Sequence, residues 1–348
     1  MQRSTERAQV AIVGGGLAGL ATAWALIERG VRDLIVLERE PTLATHASAR
    51  NAAMCRALAE DDAWTALTAA GAAILRDPPA SLAAGSLVDG RGAVLIARAA
   101  GARAEMMVRA ARHGVRCEAL PLALQGLADA GDALWFPDDG VIDLAGLIGG
   151  LVASLDRAGA RVRCEAEVDA AEVVDGVVEL ETRAGMVAAD VVVNAAGAWA
   201  GALAVRAGGV DPGYVARRRH VFALAVSAPD APIVWAVDER EHYTRPAGAE
   251  TWASACDSEV TVPGDVSIDP AAADELRARL PAALVATPIA RTWACQRTFA
   301  PGGVPVIARD RDRPWLCAVT GLGGHGVTAS LAIGRLAADV VIDALTAR

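Results

Sequence analysis

Three glycines near the N-terminus have a spacing that binds the pyrophosphate of a dinucleotide. The stretch 10–19 is VAIVGGGLAG, with Gly14, Gly16 and Gly19 in a G-x-G-x-x-G pattern. The first glycine allows a tight turn, the second lets a pyrophosphate approach the backbone, and the third lets a helix pack on a strand. Glu38 follows 19 positions after Gly19. A carboxylate there can accept hydrogen bonds from the ribose hydroxyls, so the pattern predicts a dinucleotide site without a 2′-phosphate.

The elements that must position these residues are also recognisable. An apolar run before Gly14 predicts a strand, and small residues from Leu17 to about Arg29 predict a helix. A second apolar run, 34–37, ends directly at Glu38. The helix N-terminus offers free N–H groups and the positive end of its dipole to phosphates. A Gly-rich turn in some other kind of α/β protein is the alternative. The complete strand–turn–helix–strand–acid unit favours the dinucleotide site over it.

A second Gly-rich loop lies near the C-terminus. Residues 315–320 predict a strand, 321–326 a loop, and Val327 to about Leu345 a helix. Two strand–loop–helix units at opposite ends of the chain indicate one extended cofactor held by both. A nicotinamide dinucleotide needs no second unit of this kind. FAD fits better, with its adenosine and pyrophosphate at the first unit and its ribityl-flavin part at the second.

Composition narrows the class of protein. A chain of 348 residues suits two domains or one large one. The net charge of −9 argues against nucleic acid or an anionic membrane as the main partner. Although 53% of residues are apolar, no uncharged run is long enough for a transmembrane segment. The polar N-terminus gives no sign of a signal peptide, so we expect a cytoplasmic protein.

Two residue types limit the chemistry. The six cysteines have no metal-ligand spacing, so we expect free thiols and no metal site. The chain contains no lysine, and all 33 basic residues are arginine. An amine nucleophile or a Schiff base is therefore excluded, whereas arginine can hold carboxylates in a bidentate fork.

Four segments together resemble the D-amino-acid oxidase superfamily of flavoenzymes, which includes glycine oxidase, sarcosine oxidase and D-amino acid dehydrogenases. The similarity covers nearly the whole chain and rests on Val13–Gly19, Ala47–Ala53, Asn194–Trp199 and Gly323–Thr328. Within the superfamily the chain looks most like the D-arginine dehydrogenase group. That narrower likeness rests on the segments 77–80, 217–219, 242–246 and 292–297.

The resemblance implies a mixed α/β fold with a Rossmann-like FAD-binding domain. Residues 1–80, 138–205 and 290–348 would form it, and residues 81–137 and 206–289 would form a substrate domain with a mixed antiparallel sheet. It also implies a set of cofactor contacts. The predicted cofactor-binding residues are Gly14, Gly16, Leu17, Ala18, Gly19, Glu38, Arg39, Ser48, Arg50, Asn51, Ala52, Val168, Ala196, Gly197, Trp199, Gly323, Gly324, His325, Gly326, Val327 and Thr328.

The resemblance also assigns residues to the substrate. Arg297 matches the arginine that binds the substrate carboxylate, Arg219 a second such arginine, and Tyr243 a tyrosine that hydrogen-bonds the same group. Each has a plainer alternative: a surface arginine, a solvated basic run and a buried structural tyrosine. His325 lies in the second glycine loop, where a role flanking the flavin or gating the site is favoured over proton transfer.

Cys295 occupies the position at which sarcosine oxidases link flavin covalently. A small buried thiol beside the ring is the favoured interpretation, and FAD is expected to be non-covalent.

The side-chain end of the site departs from the D-arginine dehydrogenase pattern. Met54 and Ala59 stand where that group has His and Tyr, and no carboxylate is evident near residues 90–92. We therefore doubt a basic substrate and expect a neutral or apolar side chain, with Met54 and Trp252 as walls.

These observations predict FAD-dependent oxidation of the Cα–N bond of an amino acid, with hydride transfer to flavin N5 and hydrolysis of the imine to a 2-oxo acid and ammonia. Three alternatives stay open: an N-alkyl amino acid oxidase of the glycine or sarcosine type, a 2-hydroxy acid dehydrogenase using His220 or His325 as base, and a non-catalytic flavin-binding subunit. The electron acceptor, whether dioxygen, a quinone or another compound, is open too. The absence of the lysine that activates oxygen in sarcosine oxidases favours a dehydrogenase.

Overall fold

The computed structural model describes residues 5–127, 132–238 and 241–347. Its helices are α1 (Leu17–Glu28), α2 (Asp62–Arg76), α3 (Ala102–Arg112), α4 (Leu144–Arg157), α5 (Ala200–Arg206), α6 (Ala272–Arg279), α7 (Ala282–Val285) and α8 (Gly326–Thr346). Strands of the first half are β1 (Glu6–Val13), β2 (Leu34–Leu37), β3 (Met54–Cys55), β4 (Ala93–Ile96), β5 (Glu118–Ala119), β6 (Ala133–Phe136), β7 (Gly140–Val141), β8 (Arg161–Arg163) and β9 (Val168–Val174). The remaining strands are β10 (Val177–Thr182), β11 (Gly185–Asn194), β12 (Val215–Leu224), β13 (Ile233–Ala236), β14 (His242–Ala247), β15 (Glu250–Ser254), β16 (Val260–Thr261), β17 (Ile289–Phe299), β18 (Val306–Arg309) and β19 (Leu316–Thr320).

The first sheet has the order β18-β19-β11-β1-β2-β8, and β9 and β10 form an antiparallel hairpin beside β11. Strands β19, β11, β1, β2 and β8 run parallel. The inner strands are continuous apolar runs because helices and the hairpin cover both of their faces. Parallel pairing brings Val13, Leu37 and Asn194 to one edge, where β1, β2 and β11 end together.

Helices α1, α4 and α8 pack in one apolar core with the first sheet. Helix α8 approaches its neighbours closely because glycines stand at the contacts. A Cβ atom on Gly334 would lie 2.4 Å from the carbonyl oxygen of Ala21 in α1, and one on Gly71 in α2 would lie 2.0 Å from that of Thr328. The C-terminal helix is thereby fixed against the N-terminal one, and the two glycine loops that precede them lie at the same edge of the sheet, with the end of β11 between them.

The second sheet has the order β16-β12-β15-β14-β13-β4-β6-β5, with β17 on β12. Its pairs are antiparallel except for β13 with β4, as predicted for a mixed antiparallel sheet. Strand β17 belongs here, although residues 290–348 were predicted as part of the cofactor domain; the domain boundaries stay a prediction. No helix of the described residues is long and apolar enough to cross a membrane.

The chain bends between two strands of the first sheet. Strand β8 ends at Arg163 and β9 begins at Val168. Glu165 has a left-handed backbone, with φ of 54°, and its N–H donates to the carbonyl oxygen of Glu40. The chain bends here because it wraps over the segment that follows β2.

Candidate active site

A cavity lies between the two sheets and reaches from the Gly-rich turn after β1 to strands β12, β13, β14 and β17. The cavity is lined by every predicted cofactor-binding residue except Gly19, and by Arg219, Tyr243, Arg297 and His325. Gly19 lies beneath the turn, where a Cβ atom would come 2.0 Å from the carbonyl oxygen of Gly14. Its predicted role, close packing of helix on strand, is therefore the one that the structure shows.

The turn itself is shaped for an anion. Gly14 has φ of 115°, and a Cβ atom there would lie 2.3 Å from the carbonyl oxygen of Ala195. Among the described residues, the N–H groups of Gly16 and Ala18 have no hydrogen-bond partner. Ser48 accepts the N–H of Leu17 at 2.9 Å and so ties a second loop to the helix start. Free donors at a helix N-terminus suit a pyrophosphate.

Glu38 is buried at the edge of this turn. Its Oε2 accepts the N–H of Gly15 at 2.7 Å, and its Oε1 accepts that of Glu40 at 2.9 Å. The two backbone donors fix the carboxylate, and each oxygen keeps acceptor capacity for a ribose hydroxyl.

An aromatic and cationic group forms the neighbouring wall. The Arg39 guanidinium lies 4.4 Å from the ring centre of Trp199, and the His46 ring lies 4.8 Å from the same ring. Val168 also lines this end, and its carbonyl oxygen accepts a hydrogen bond from Arg206 at 2.6 Å. Gly197, with φ of 54°, turns the chain just before Trp199. This part of the cavity is placed to hold an adenosine.

The loop 48–53 crosses the middle of the cavity. Asn51 braces it, since its Nδ2 donates to the carbonyl oxygens of Ala47 and Ser48 and its Oδ1 accepts the N–H of Ala53. The Asn51 amide is therefore used within the loop. Arg50 and Ala52 also line the cavity.

The second glycine loop faces the same space. Helix α8 begins at Gly326, and the N–H groups of Gly326, Val327 and Thr328 have no partner among the described residues. The Thr328 hydroxyl donates to the carbonyl oxygen of Met54 at 3.0 Å, which joins this loop to the strand after loop 48–53. Free donors and a helix dipole at this position suit an electron-rich edge of a flavin.

Two arginines from adjacent strands line the far end of the cavity. Arg219 on β12 is opposite Cys295, two residues before Arg297 on β17, so both arginines are on one face of the sheet. Arg219 Nε donates to the carbonyl oxygen of Asp257 at 3.0 Å, and Arg297 Nη2 donates to the same oxygen at 3.1 Å. Neither arginine forms a salt bridge with a described carboxylate, and among the described residues only Nη2 of Arg297, of their four Nη atoms, has a hydrogen-bond partner.

The charge on Arg297 is not paired in a salt bridge with any described carboxylate. Burial, and after it the nearby Arg219, lower the pKa of Arg297 to about 10. The residue stays protonated at neutral pH, and an anion placed between the two guanidinium groups would relieve their repulsion. A bidentate carboxylate is the natural ligand for such a pair.

Tyr243 on β14 and Cys295 on β17 complete this end. Burial raises the pKa of the Tyr243 phenol well above its usual range, so the hydroxyl stays protonated and can donate. Burial also raises the pKa of the Cys295 thiol. A protonated thiol is a poor nucleophile, which agrees with non-covalent FAD as the favoured interpretation.

His325 forms a hydrogen bond that the sequence did not indicate. Its Nε2 lies 2.6 Å from Oε2 of Glu60. Burial alone would raise the pKa of Glu60, but Arg56 and the hydrogen bond from His325 hold that pKa well below its usual range. Because an ionised carboxylate only accepts, Nε2 carries the proton. Burial lowers the pKa of His325, so the ring is neutral and its Nδ1 is an acceptor.

The other candidate base is excluded. His220 is 1% exposed and does not line the cavity. Its Nε2 accepts the N–H of Asp269 at 3.0 Å, so its Nδ1 donates to the Asp257 carboxylate at 2.8 Å. Both ring nitrogens are used, and His220 is structural.

The walls of the substrate end differ in part from those predicted. Met54 lines the cavity, but Trp252 does not: its ring packs against Arg245 and Trp293 farther along the sheet. Trp235 on β13 lines the cavity instead, and the Arg56 guanidinium lies 4.0 Å from its ring centre. Neither Arg56 nor Trp235 was predicted, because their pairing across 179 positions leaves no local pattern.

Comparison with known proteins shows which family the chain belongs to. The family model described as "FAD dependent oxidoreductase" matches residues 9–340. The chain belongs to that family. It is an FAD-dependent oxidoreductase, and the relationship to the D-amino-acid oxidase superfamily predicted from the four sequence segments is confirmed.

Solved structures of this family share the fold. Glycine oxidase from Geobacillus kaustophilus is 23% identical, with a TM-score of 0.79 over 97% of this chain and 95% of that one. L-proline dehydrogenase from P. horikoshii is 18% identical, with a TM-score of 0.86 over 98% and 94%. L-amino acid deaminase from Proteus vulgaris is 18% identical, with a TM-score of 0.82 over 99% and 95%. At these identities the likeness shows the fold, and the FAD oxidoreductase's own substrate must be inferred from its cavity.

Proposed function

We propose that the protein oxidises the Cα–N bond of an amino acid, giving an imino acid that hydrolyses to a 2-oxo acid and ammonia. The observation that supports this most directly is the pair of arginines, buried Arg219 and partly buried Arg297, which form no salt bridge with a described carboxylate and line a cavity that also contains the two glycine loops. Similarity to a glycine oxidase, a proline dehydrogenase and an amino acid deaminase agrees with an amino acid substrate.

The residues present fit FAD. The free N–H groups of Gly16 and Ala18 would receive the pyrophosphate, Glu38 the ribose, and the first turn of α8 the pyrimidine edge of the flavin. When bound, FAD supplies a two-electron acceptor for the hydride that leaves the substrate α-carbon.

The substrate carboxylate would bind between Arg219 and Arg297, with a hydrogen bond from the Tyr243 hydroxyl. The shared anchor of both arginines on the Asp257 carbonyl oxygen fixes their spacing. Holding one end of the substrate in this way orients the α-carbon before reaction, which is a large part of what a positioned site contributes.

His325 would accept the proton that the substrate ammonium must lose. A neutral amine, unlike an ammonium, has the lone pair that assists hydride departure. His325 is neutral, its Nε2–H is held by Glu60, and its Nδ1 is the acceptor. A carboxylate on the far nitrogen orients the ring and stabilises the imidazolium once the proton has moved. We therefore favour proton transfer over a purely gating role for His325.

We further propose that the enzyme acts as a dehydrogenase. The chain has no lysine that could lie beside the flavin and activate dioxygen, which favours another electron acceptor. The acceptor, a quinone or another compound, and the substrate's configuration or N-alkylation are to be found by assay.

The experiment is a paired substrate panel with an artificial electron acceptor. Each D- and L-amino acid, its N-methyl form and the corresponding 2-hydroxy acid are supplied to the purified holoenzyme, and ammonia or methylamine and the 2-oxo acid are quantified. The proposal expects amine and 2-oxo acid in equal amounts from an amino acid. Oxidation of 2-hydroxy acids alone would establish the alternative dehydrogenase, and no turnover with any member would favour a non-catalytic flavin-binding role.

A further inference from the structure

Another arginine, Arg56, lines the cavity at the Trp235 wall. Arg56 is 6% exposed, and its guanidinium is clamped between the Trp235 ring and the Glu60 carboxylate. One of its terminal nitrogens, Nη2, pairs with Glu60, while Nη1 has no partner among the described residues. Its backbone is fixed as well, since its N–H donates to the Thr328 hydroxyl. Arg56 therefore presents a free donor from a rigid position.

The charge balance at this end of the cavity is positive. In the described chain, only two carboxylates line the cavity, Glu38 and Glu167, and both lie at the adenosine end. Glu60 pairs with Arg56, whereas neither Arg219 nor Arg297 forms a salt bridge with a described carboxylate; Asp257 and Glu241, which do not line the cavity, help to raise the pKa of Arg219. The lining at this end therefore presents guanidinium groups and no carboxylate of its own. A cationic substrate side chain would be repelled by this lining, and an anionic one would be attracted to it.

The second sheet separates the two groups of donors. Arg219 is on β12 and Trp235 on β13, and β15 and β14 lie between them. Three strand spacings of about 4.8 Å put their backbones roughly 14 Å apart. Arg219 lines the cavity from β12, and the Arg56 guanidinium, from the segment after β3, lies over Trp235 at the other end of this span. The remaining distance suits a substrate whose two acidic groups are separated by a few carbons.

We propose that Arg56 forms a second acceptor site, and that the substrate is an amino acid whose side chain ends in a carboxylate. This rests on the proposed function for the position of the α-carboxylate, and it replaces the neutral or apolar side chain expected from sequence. Trp235 holds the guanidinium plane by stacking, so the Arg56 fork faces a side-chain carboxylate without having to be ordered when the substrate binds.

Binding is tested without turnover by titrating the oxidised holoenzyme with glutarate and with butyrate while the flavin absorbance is recorded. The two acids differ by one terminal carboxylate. We expect glutarate to bind about 10- to 100-fold more tightly, the range for a charge-assisted hydrogen bond. Arg56→Met should abolish this advantage and leave butyrate binding within about threefold. Arg98→Met is the matched control, because Arg98 pairs with Asp238 outside the cavity.

Two further variants test the Arg56 site even if Arg56→Met does not fold. Arg56→Lys keeps a charge without the fork and should retain part of the glutarate preference. Glu60→Gln removes the carboxylate that competes for Arg56 and should tighten glutarate binding. Equal affinity for glutarate and butyrate in the native protein, or an unchanged preference in Arg56→Met, would overturn the proposal.

Reduction of the flavin by glutamate and by glutamine, each in both configurations, separates this proposal from the proposed function. Flavin reduction that is faster with glutamate than with glutamine, or that needs a lower concentration of glutamate, supports both the Arg56 site and amino acid oxidation. Equal reduction by glutamine overturns the Arg56 site and leaves amino acid oxidation standing. An Arg56-dependent glutarate preference with no reduction by any amino acid leaves the acceptor site standing and contradicts the proposed oxidation.

Discussion

Asp257 organises the carboxylate site through two different groups. Its backbone carbonyl accepts hydrogen bonds from Arg219 and Arg297, and its side chain accepts the ring Nδ1–H and backbone N–H of His220. Burial would raise the pKa of Asp257, but the His220 hydrogen bonds lower it, so the carboxylate stays ionised. A histidine that is not in the cavity thus fixes the position of two arginines that are.

Removing either cavity arginine should weaken carboxylate binding. We expect Arg219→Met and Arg297→Met each to raise the dissociation constant for butyrate by about 10- to 100-fold, because a charge-assisted hydrogen bond contributes ~1.5–3 kcal/mol. Flavin absorbance titration measures it. Arg217→Met is the control, since Arg217 is on the same strand and face but does not line the cavity. Unchanged affinity in both cavity variants would mean that the carboxylate binds elsewhere.

His325 should produce an acidic limb in the pH profile. Its pKa is below the ordinary value of 6.5, so native kcat/KM should be level above about pH 6.5 and fall below it as Nδ1 becomes protonated. In His325→Asn this limb should disappear and kcat/KM should rise toward the pKa of the substrate amine. The expected loss at pH 7 is about 10²- to 10⁴-fold. A variant with the native pH profile would exclude His325 as the proton acceptor.

Helices α2 and α8 cross at a backbone contact that only glycine allows. Gly71→Ala should destabilise the protein by ~1–3 kcal/mol, because its Cβ would overlap the backbone of Thr328 and the helices would have to separate. Gly149→Ala is the matched control: Gly149 is an exposed interior position of α4 with open space around it, and alanine there should stabilise by up to ~1 kcal/mol. Urea denaturation of both variants measures the difference. Equal effects would contradict the close crossing.

A buried carboxyl supports the strand β3 that borders the cavity. Asp139 is 1% exposed, its Oδ1 accepts the N–H of Ala57 at 3.0 Å, and burial raises its pKa to about 7. The pKa of Asp139 is higher in the folded than in the unfolded protein. The contribution of this carboxyl to the free energy of unfolding is therefore complete below about pH 4 and is lost as the pH rises through 7.

Asp139→Asn should remove that pH dependence, since an amide keeps the acceptor without ionising. We expect the variant to be more stable than the native protein at pH 8, by a few kcal/mol at most, and close to it at pH 4. Urea midpoints at the two pH values test this. A native protein whose stability does not fall between pH 4 and pH 8 relative to the variant would show that Asp139 is not buried as described.

Elements could be predicted where the pattern is local. Helix α1, strand β2 and the C-terminal strand–loop–helix unit follow from apolar periodicity and glycine spacing, and the structure places them within a residue or two of the expected bounds. The break at Glu165 could not be predicted. Its left-handed backbone is imposed by a hydrogen bond to Glu40, which is distant in sequence, and no turn residue marks it.

At the scale of the whole molecule, the site is an assembly of both ends of the chain and the second sheet. The two glycine loops predicted FAD because their spacing is a local signal, and the family match confirms that cofactor. Arg56, Glu60 and Trp235 could not be found, since the segment that follows β3 meets β13 and the start of α8 only in the folded chain. The cytoplasmic location stays a prediction.

The central claim is that an amino acid carboxylate binds between Arg219 and Arg297 and that its α-hydrogen leaves as hydride to FAD. Anaerobic mixing of the holoenzyme with amino acids of both configurations, followed at the flavin absorbance band, tests it most directly. We expect bleaching with at least one amino acid, slowed about two- to tenfold by α-deuteration and about tenfold or more by Arg297→Met at subsaturating substrate. Failure of every amino and N-alkyl amino acid to bleach the flavin would contradict the account.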